Sequence, residues 1–285
     1  MKPKEFWTFV APSVLIMSLL MVLPLFFTLY LSLQNYSFGT QPVFVGLQNY
    51  LISLQDSRLW GSLGFTLIYI AFTLPIQIIL GTALALALNQ MNRYSKVFIT
   101  GYLIPFVVTP VVGTLIVSWL FKDRGFYTWI LSLLSINVEW YAEVWAARAM
   151  IMFYGVWYTT PFVFLMVYAA LQALPHEPLE ASVVDGATWW QQLRFVVLPM
   201  LNPVLTFVMM VGIMDAYRMF DSVAVMTAGR PGTSTETLMY YAYSISFQQG
   251  LLGRGSAVVI LTLFGILILI FPFLRSTYRD MVVKA

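Results

Sequence analysis

The 285-residue sequence has no cysteine, one histidine and very few charges. Without cysteine there is no disulfide framework and no thiolate metal site, and no other cluster suggests a metal. The one histidine, His176, lies between Pro175 and Pro178. It would have to be the base of any intramembrane hydrolase, but a histidine at a proline-rich edge reads as a solvated loop residue. None of the five lysines follows a glycine, so the chain holds no phosphate-cradling G-x-x-x-x-G-K-[ST] loop and is not itself an ATPase. Charged residues make up 9% of the chain, against about 25% in soluble domains. What is abundant is apolar: 60% of residues are hydrophobic and the mean hydropathy is +0.82, as in an integral membrane protein. The net charge of +3 and pI near 9.0 do not indicate nucleic acid, because the basic residues are scattered through apolar sequence as flanks of membrane spans.

Charge-free runs count the spans. They extend over Phe6–Gln55, Leu59–Asn92, Val97–Phe121, Ala149–Pro175, Phe195–Met214 and Gly255–Leu274. About 20 residues at about 1.5 Å rise cross a hydrocarbon core of about 30 Å, so each run can hold a span. The first is too long for one, and its second half, rich in Gly, Pro, Asn and Gln, reads as a loop. An all-α integral membrane protein with six helices is predicted, as one domain over 1–285 with spans near 8–33, 62–89, 97–121, 148–172, 199–226 and 253–275. Lys2 and Lys4 before an apolar stretch imitate a secretory signal. The apolar part runs past the ~7–15 residues of a signal core, so it reads as a retained first helix, in which Pro12 and Pro24 are tolerated.

Six helices put both termini on one side. That side would hold Lys2, Lys4, Arg93, Lys96, Arg194, Arg275, Arg279 and Lys284, and the other Arg58, Lys122, Arg124, Arg148, Arg230 and Arg254. The small excess favours cytoplasmic termini. The opposite loops are larger and rich in aromatics, which suit a membrane interface or a docking surface for an outer partner. Within the fifth span Asp215, Arg218 and Asp221 recur every three residues, on neighbouring parts of one helical face. Intramembrane charges face a bundle interior or a wet cavity. Here they either lock two helices together or also line a solute path. Trp157 and Tyr158 in the fourth span, and Tyr217 beside the charges, could supply the aromatic stacking and hydrogen bonds that hold a sugar.

Between the fourth and fifth spans lies EASVVDGATWWQQLRFVVLPMLNP, Glu180 to Pro203. Pro175 and Pro178 end the fourth span and suit the first turn of a new helix. Gly186 falls where a left-handed cap would close it, and Thr188 with Gln191 forms a T-x-x-Q capping box for the next helix, which runs on through Leu198 and Pro199. A small helix–turn–helix over 175–199 is predicted.

At these residues a resemblance becomes specific. Glu180, Ala181, Asp185, Gly186, Ala187, Leu198 and Pro199 resemble the EAA loop of permease subunits in bacterial binding-protein-dependent ABC importers, with Ser182 in place of the commoner Ala. Phe44–Tyr50, FVGLQNY, is similar to the F-x-G-L-x-N-Y element of the carbohydrate-uptake branch. Phe220, Asp221, Thr227, Gly229, Pro231, Ser234, Thr235, Glu236, Thr237 and Leu238 match its F-D…T-x-G-G-P…S-T-E-T-L pattern, except that Arg230 replaces a second glycine. LGRGSA, Leu252–Ala257, also matches. The whole looks like the first of the paired permeases of the maltose and glycerol-3-phosphate type.

That resemblance implies a type I importer permease architecture in a bacterial or archaeal cytoplasmic (inner) membrane. It implies that Glu180, Ala181, Asp185, Gly186 and Ala187 form a cytoplasmic coupling helix docking on an ATPase, and that Thr227, Gly229, Arg230 and Pro231 belong to an outer gate loop. The implied partners are a second homologous permease, an ATPase dimer and an extracytoplasmic solute-binding protein or lipoprotein, besides membrane lipid. No cofactor is expected on this chain, ATP and magnesium residing on the ATPase. The competing reading, an ion-coupled secondary transporter using Asp215 and Asp221, would leave the 175–199 loop without a purpose.

Overall fold

The computed structural model describes residues 3–91 and 95–283, and side chains from Trp7 to Met91 and from Ser95 to Arg275. Lys2, Arg93 and Lys284 lie outside the described residues, as do the side chains of Lys4 and Arg279. The chain divides into two compact units, Met1–Gly61 with Leu238–Gly265, and Ser62–Thr237 with Ile266–Ala285.

Among the described residues, five helices are long and apolar enough to cross a membrane: Trp7–Ser32, Ser57–Asn89, Val144–Gln172, Trp189–Tyr217 and Leu252–Arg275. The third predicted span, 97–121, is not one helix. It is a series of three, Ser95–Tyr102, Ile104–Val107 and Pro110–Leu120. Proline contributes to the break: Val108 and Thr109 are extended with ψ near 140° and 142°, and the Pro110 ring disfavours a helical Thr109 immediately before it. The fifth span also ends sooner than the sequence predicts. Its helix stops at Tyr217, and a short helical stretch with a π turn, Val223–Thr227, follows after a gap at Met219 and Phe220.

In the first unit the apolar helix Trp7–Ser32 has no buried residue in its most apolar window, so its whole girth is left for lipid or other chains. The helix ends in a small polar knot. Ser32 Oγ shares a 2.6 Å hydrogen bond with the Tyr50 hydroxyl, and Asn49 Nδ2 donates to the carbonyls of Ser32 and Gln34, each at 2.8 Å. Between them a two-residue hairpin pairs Gln34 with Phe44 and Asn35 with Val43. Asn49 and Tyr50 of FVGLQNY thus satisfy backbone that the helix end and the hairpin leave open. At Gly253 in LGRGSA a Cβ would collide with the Gln34 carbonyl, so only glycine lets these segments meet. Arg254 beside it reaches the Asp56 carboxylate at 2.5 Å, on a site that also accepts the Tyr241 hydroxyl at 2.8 Å and the Arg58 N–H at 2.9 Å.

The second unit is built around Val144–Gln172, whose most apolar window is 56% buried. Phe164, Val163 and Val167 pack with Ala85 and Leu88 of Ser57–Asn89 and with Leu201 and Val208 of the helix Leu198–Tyr217. A second cluster joins Leu74, Ile213 and Ile270.

Candidate functional site: a polar cavity and a surface helix pair

Both breaks, at Pro110 and after Tyr217, expose backbone that must find partners inside the bundle. The Pro110 carbonyl accepts hydrogen bonds from Thr114 Oγ1 at 2.7 Å and the Tyr154 hydroxyl at 2.9 Å, and the Val108 carbonyl accepts from Tyr158 at 3.4 Å. At the second break Thr237 Oγ1 donates to the Met219 carbonyl at 2.7 Å. The two breaks flank a cavity of about 320 Å³. Phe106 and Pro110 come from the first break, and Asp215, Arg218, Phe220, Asp221 and Ser222 from the second. Tyr69 and Gln77 of the second span and Tyr154, Tyr158 and Thr159 of the fourth add further polar groups to its lining.

Of the residues that the sequence offers for a solute path, Asp215, Arg218, Asp221 and Tyr158 share this cavity. Tyr217 does not: it points into the packed interior, 2% exposed. Trp157 lines a different hollow, with Leu80, Tyr102 and Pro105. The three charges do not lie on one helical face, because the helix ends between Asp215 and Asp221. Arg218 donates to Asp215 at 2.7 Å within a single turn, and the two side chains are 67% and 48% exposed, so the pair joins no two helices and faces open space. Sequence reasoning passed over Tyr69, Gln77 and Tyr154. Gln77 is an amide in a 33-residue apolar helix, and Tyr154 precedes Tyr158 by one turn, signals that a search for polar residues within spans finds.

The loop over 175–199 forms the second feature. Helix His176–Val184 closes at Gly186, whose φ is +75°. The Gly186 and Ala187 N–H groups donate back to the carbonyls of Val183 and Ser182, both at 3.0 Å, the paired bonds of a Schellman cap. Thr188 and Gln191 form a reciprocal capping box for Trp189–Gln192, which continues through a π turn, Leu193–Val197, into the fifth span. Ser182 is buried, and its Oγ accepts from Gln192 Nε2 at 2.9 Å while Gln192 also donates to Leu179 O at 3.1 Å. Serine here therefore clasps the two short helices, which alanine could not. Glu180, Ala181, Asp185 and Gly186 are exposed and Ala187 half-buried; Val184, 87% exposed, presents apolar surface beside the carboxylates.

In the loop carrying the GRP sequence, Thr227 Oγ1 and Thr235 Oγ1 lie 2.9 Å apart, Thr235 Oγ1 donates to the Arg230 carbonyl at 2.8 Å, and the Gly229 N–H reaches Thr227 Oγ1 at 3.3 Å. Arg148 Nε holds the Ser234 carbonyl at 2.9 Å. The Arg230 side chain stands exposed on this closed turn, beside half-buried Pro231.

Apolar spans broken around a polar cavity, with a capped helix pair between the fourth and fifth, define a multi-pass membrane permease. The chain belongs to the family described as the binding-protein-dependent transport system inner membrane component, whose model matches residues 57–278. It is 32% identical over 256 residues, 89% of this chain and 86% of the relative, to the trehalose/maltose transport system permease protein MalF of Thermococcus litoralis. It is 30% identical to the trehalose transport system permease protein SugA of Mycobacterium tuberculosis, over 93% of this chain and 86% of that one. The lactose transport system permease protein LacF of Rhizobium radiobacter is 30% identical over 85% of this chain and 83% of its own. Among solved structures, a chain of a bacterial alginate ABC transporter, in complex with a periplasmic protein carrying an alginate pentasaccharide, superimposes with a TM-score of 0.82. It covers 97% of this chain and 94% of that one at 17% identity, which shows the shared importer permease fold. The ion-coupled transporter reading gives way to this family membership.

Proposed function

We propose that this permease forms half of the translocation path for a sugar, in an ATP-driven importer assembled with a second homologous permease, an ATPase pair and an extracytoplasmic binding protein. The carrying observation is the cavity of about 320 Å³, where broken helices and tyrosines of packed spans bring hydroxyl, amide and carboxylate groups together inside an apolar bundle. The sugar-permease relatives support a carbohydrate as the solute. Glu180, Ala181, Asp185, Gly186 and Ala187 are the docking face for the ATPase, on the cytoplasmic side together with both termini. Closure of the ATPase dimer around ATP and magnesium would push that rigid helix pair, and the bundle would open the cavity alternately to either side. Thr227, Gly229, Arg230 and Pro231 form the outer rim of the path. The test is uptake of labelled trehalose, maltose and lactose into proteoliposomes holding the full complex. Uptake should require both internal ATP and the binding protein. Uptake driven by a proton or sodium gradient without ATP would overturn the proposal.

A further inference from the structure

We infer that the cavity rejects anionic solutes and accepts neutral or amino-bearing ones, and that Asp221 sets this preference; the inference rests on the cavity being the solute path. Its charged lining is Asp215, Arg218 and Asp221. Arg218, the one cation among these, is committed to Asp215 at 2.7 Å. The Asp221 carboxylate has neither an ion pair nor a side-chain hydrogen bond among the described residues, so the cavity carries one uncompensated negative charge.

The neutral groups point the same way. Tyr154 and Tyr158 each donate their single hydroxyl proton to a backbone carbonyl, leaving lone pairs for the cavity. Gln77 spends an amide proton on the Gly155 carbonyl at 3.0 Å. Ser222, 1% exposed, belongs to the cavity wall and brings no charge to it. Such a lining takes up hydroxyl and ammonium donors. A phosphate or carboxylate needs free guanidinium or several free N–H groups, and here it would meet an unpaired carboxylate and oxygen lone pairs. At a few ångströms in a partly wet cavity, one charge discriminates by about tenfold or more.

The experiment uses the assembled transporter in nanodiscs, nucleotide-free and without its binding protein, so that selectivity is read at the permeases alone. The probes are trehalose, its amino-deoxy analogue and its monophosphate. Wild type should bind the amino analogue more tightly than the monophosphate. Asp221→Asn, with Asp221→Ser as a second variant, should shrink that ratio about tenfold. Arg218→Gln, which frees Asp215, should widen it. A ratio unchanged in both directions, with trehalose still bound, would overturn the inference and leave the path reading standing. Failure of all three probes to bind wild type would overturn the path reading itself, and the inference with it.

Discussion

Asp56 shows how a residue outside the apolar core can hold a fold together. Burial opposes ionisation of its carboxyl, but the bonds from Tyr241, the Arg58 N–H and Arg254, with the Arg254 charge, outweigh it and hold the group below its usual range. Burial and the Asp56 bond push Tyr241 up to about 12, so its hydroxyl stays a donor at physiological pH. A depressed carboxyl contributes stability that is fully present above its unfolded pKa, near 4, and is lost as pH falls through the folded value. Asp56→Asn should therefore lower stability at neutral pH, by about 1–3 kcal/mol for the groups left short of a partner. Thermal unfolding in detergent should show the gap between variant and wild type closing only below about pH 4. A gap that stayed constant well below that pH, or that closed already above it, would contradict the assigned network. Gly186 offers a second test at this scale. A Cβ there meets open space, so the penalty of Gly186→Val comes from φ alone, about 1–2 kcal/mol. Solute-stimulated ATP hydrolysis should fall while membrane insertion persists, and Gly186→Asn, which tolerates the left-handed region, should keep most of the activity. Full stimulation in Gly186→Val would make the loop a mere connector.

At the scale of elements, prolines divide what was legible from what was not. Charge-free runs mark candidate spans, because they measure length and apolarity, and five of the six hold a long apolar helix among the described residues. They say little about continuity, which depends on where freed backbone groups find partners. Pro24 and Pro199 each follow a π turn, Ser18–Val22 and Leu193–Val197, by two residues, and both helices run on. The wider turn accommodates the missing N–H locally. Pro110 has no such turn and breaks the third span, its freed carbonyls being answered from elsewhere by Tyr154 and Tyr158. The 175–199 loop was readable in detail because caps are local: Gly186, Thr188 and Gln191 act on neighbours within a few residues. The cavity was only partly readable, because Tyr69, Gln77 and Tyr154 reach it through packing of separate helices. Tyr154→Phe should cost about 1 kcal/mol, since Thr114 still serves the Pro110 carbonyl. Adding Thr114→Val should cost more than the sum of the single changes, because the buried carbonyl then has no partner. Strict additivity in thermal unfolding would show that these bonds do not hold the break in place.

At the scale of the whole molecule, orientation decides whether the features serve one machine. The coupling role requires the 175–199 loop on the side of ATP, and the rim role requires the 227–237 loop on the opposite side. Basic residues bias this weakly, but the absence of cysteine allows a clean measurement, since any introduced thiol is unique. Glu177 and Thr233 are suitable positions, both exposed and without a side-chain hydrogen bond among the described residues. Gln192 and Ser234 are poorer choices, because Gln192 clasps the helix pair and Ser234 Oγ donates to Pro231 O. In the proposed orientation, an impermeant maleimide should label Thr233→Cys on intact cells and leave Glu177→Cys untouched. Inside-out vesicles should show the reverse. Labelling of Glu177→Cys from outside would invert the molecule. It would also remove the ATPase from reach of Glu180 and Asp185, because a capped helix pair on the outer face could not transmit the closure of a cytoplasmic dimer.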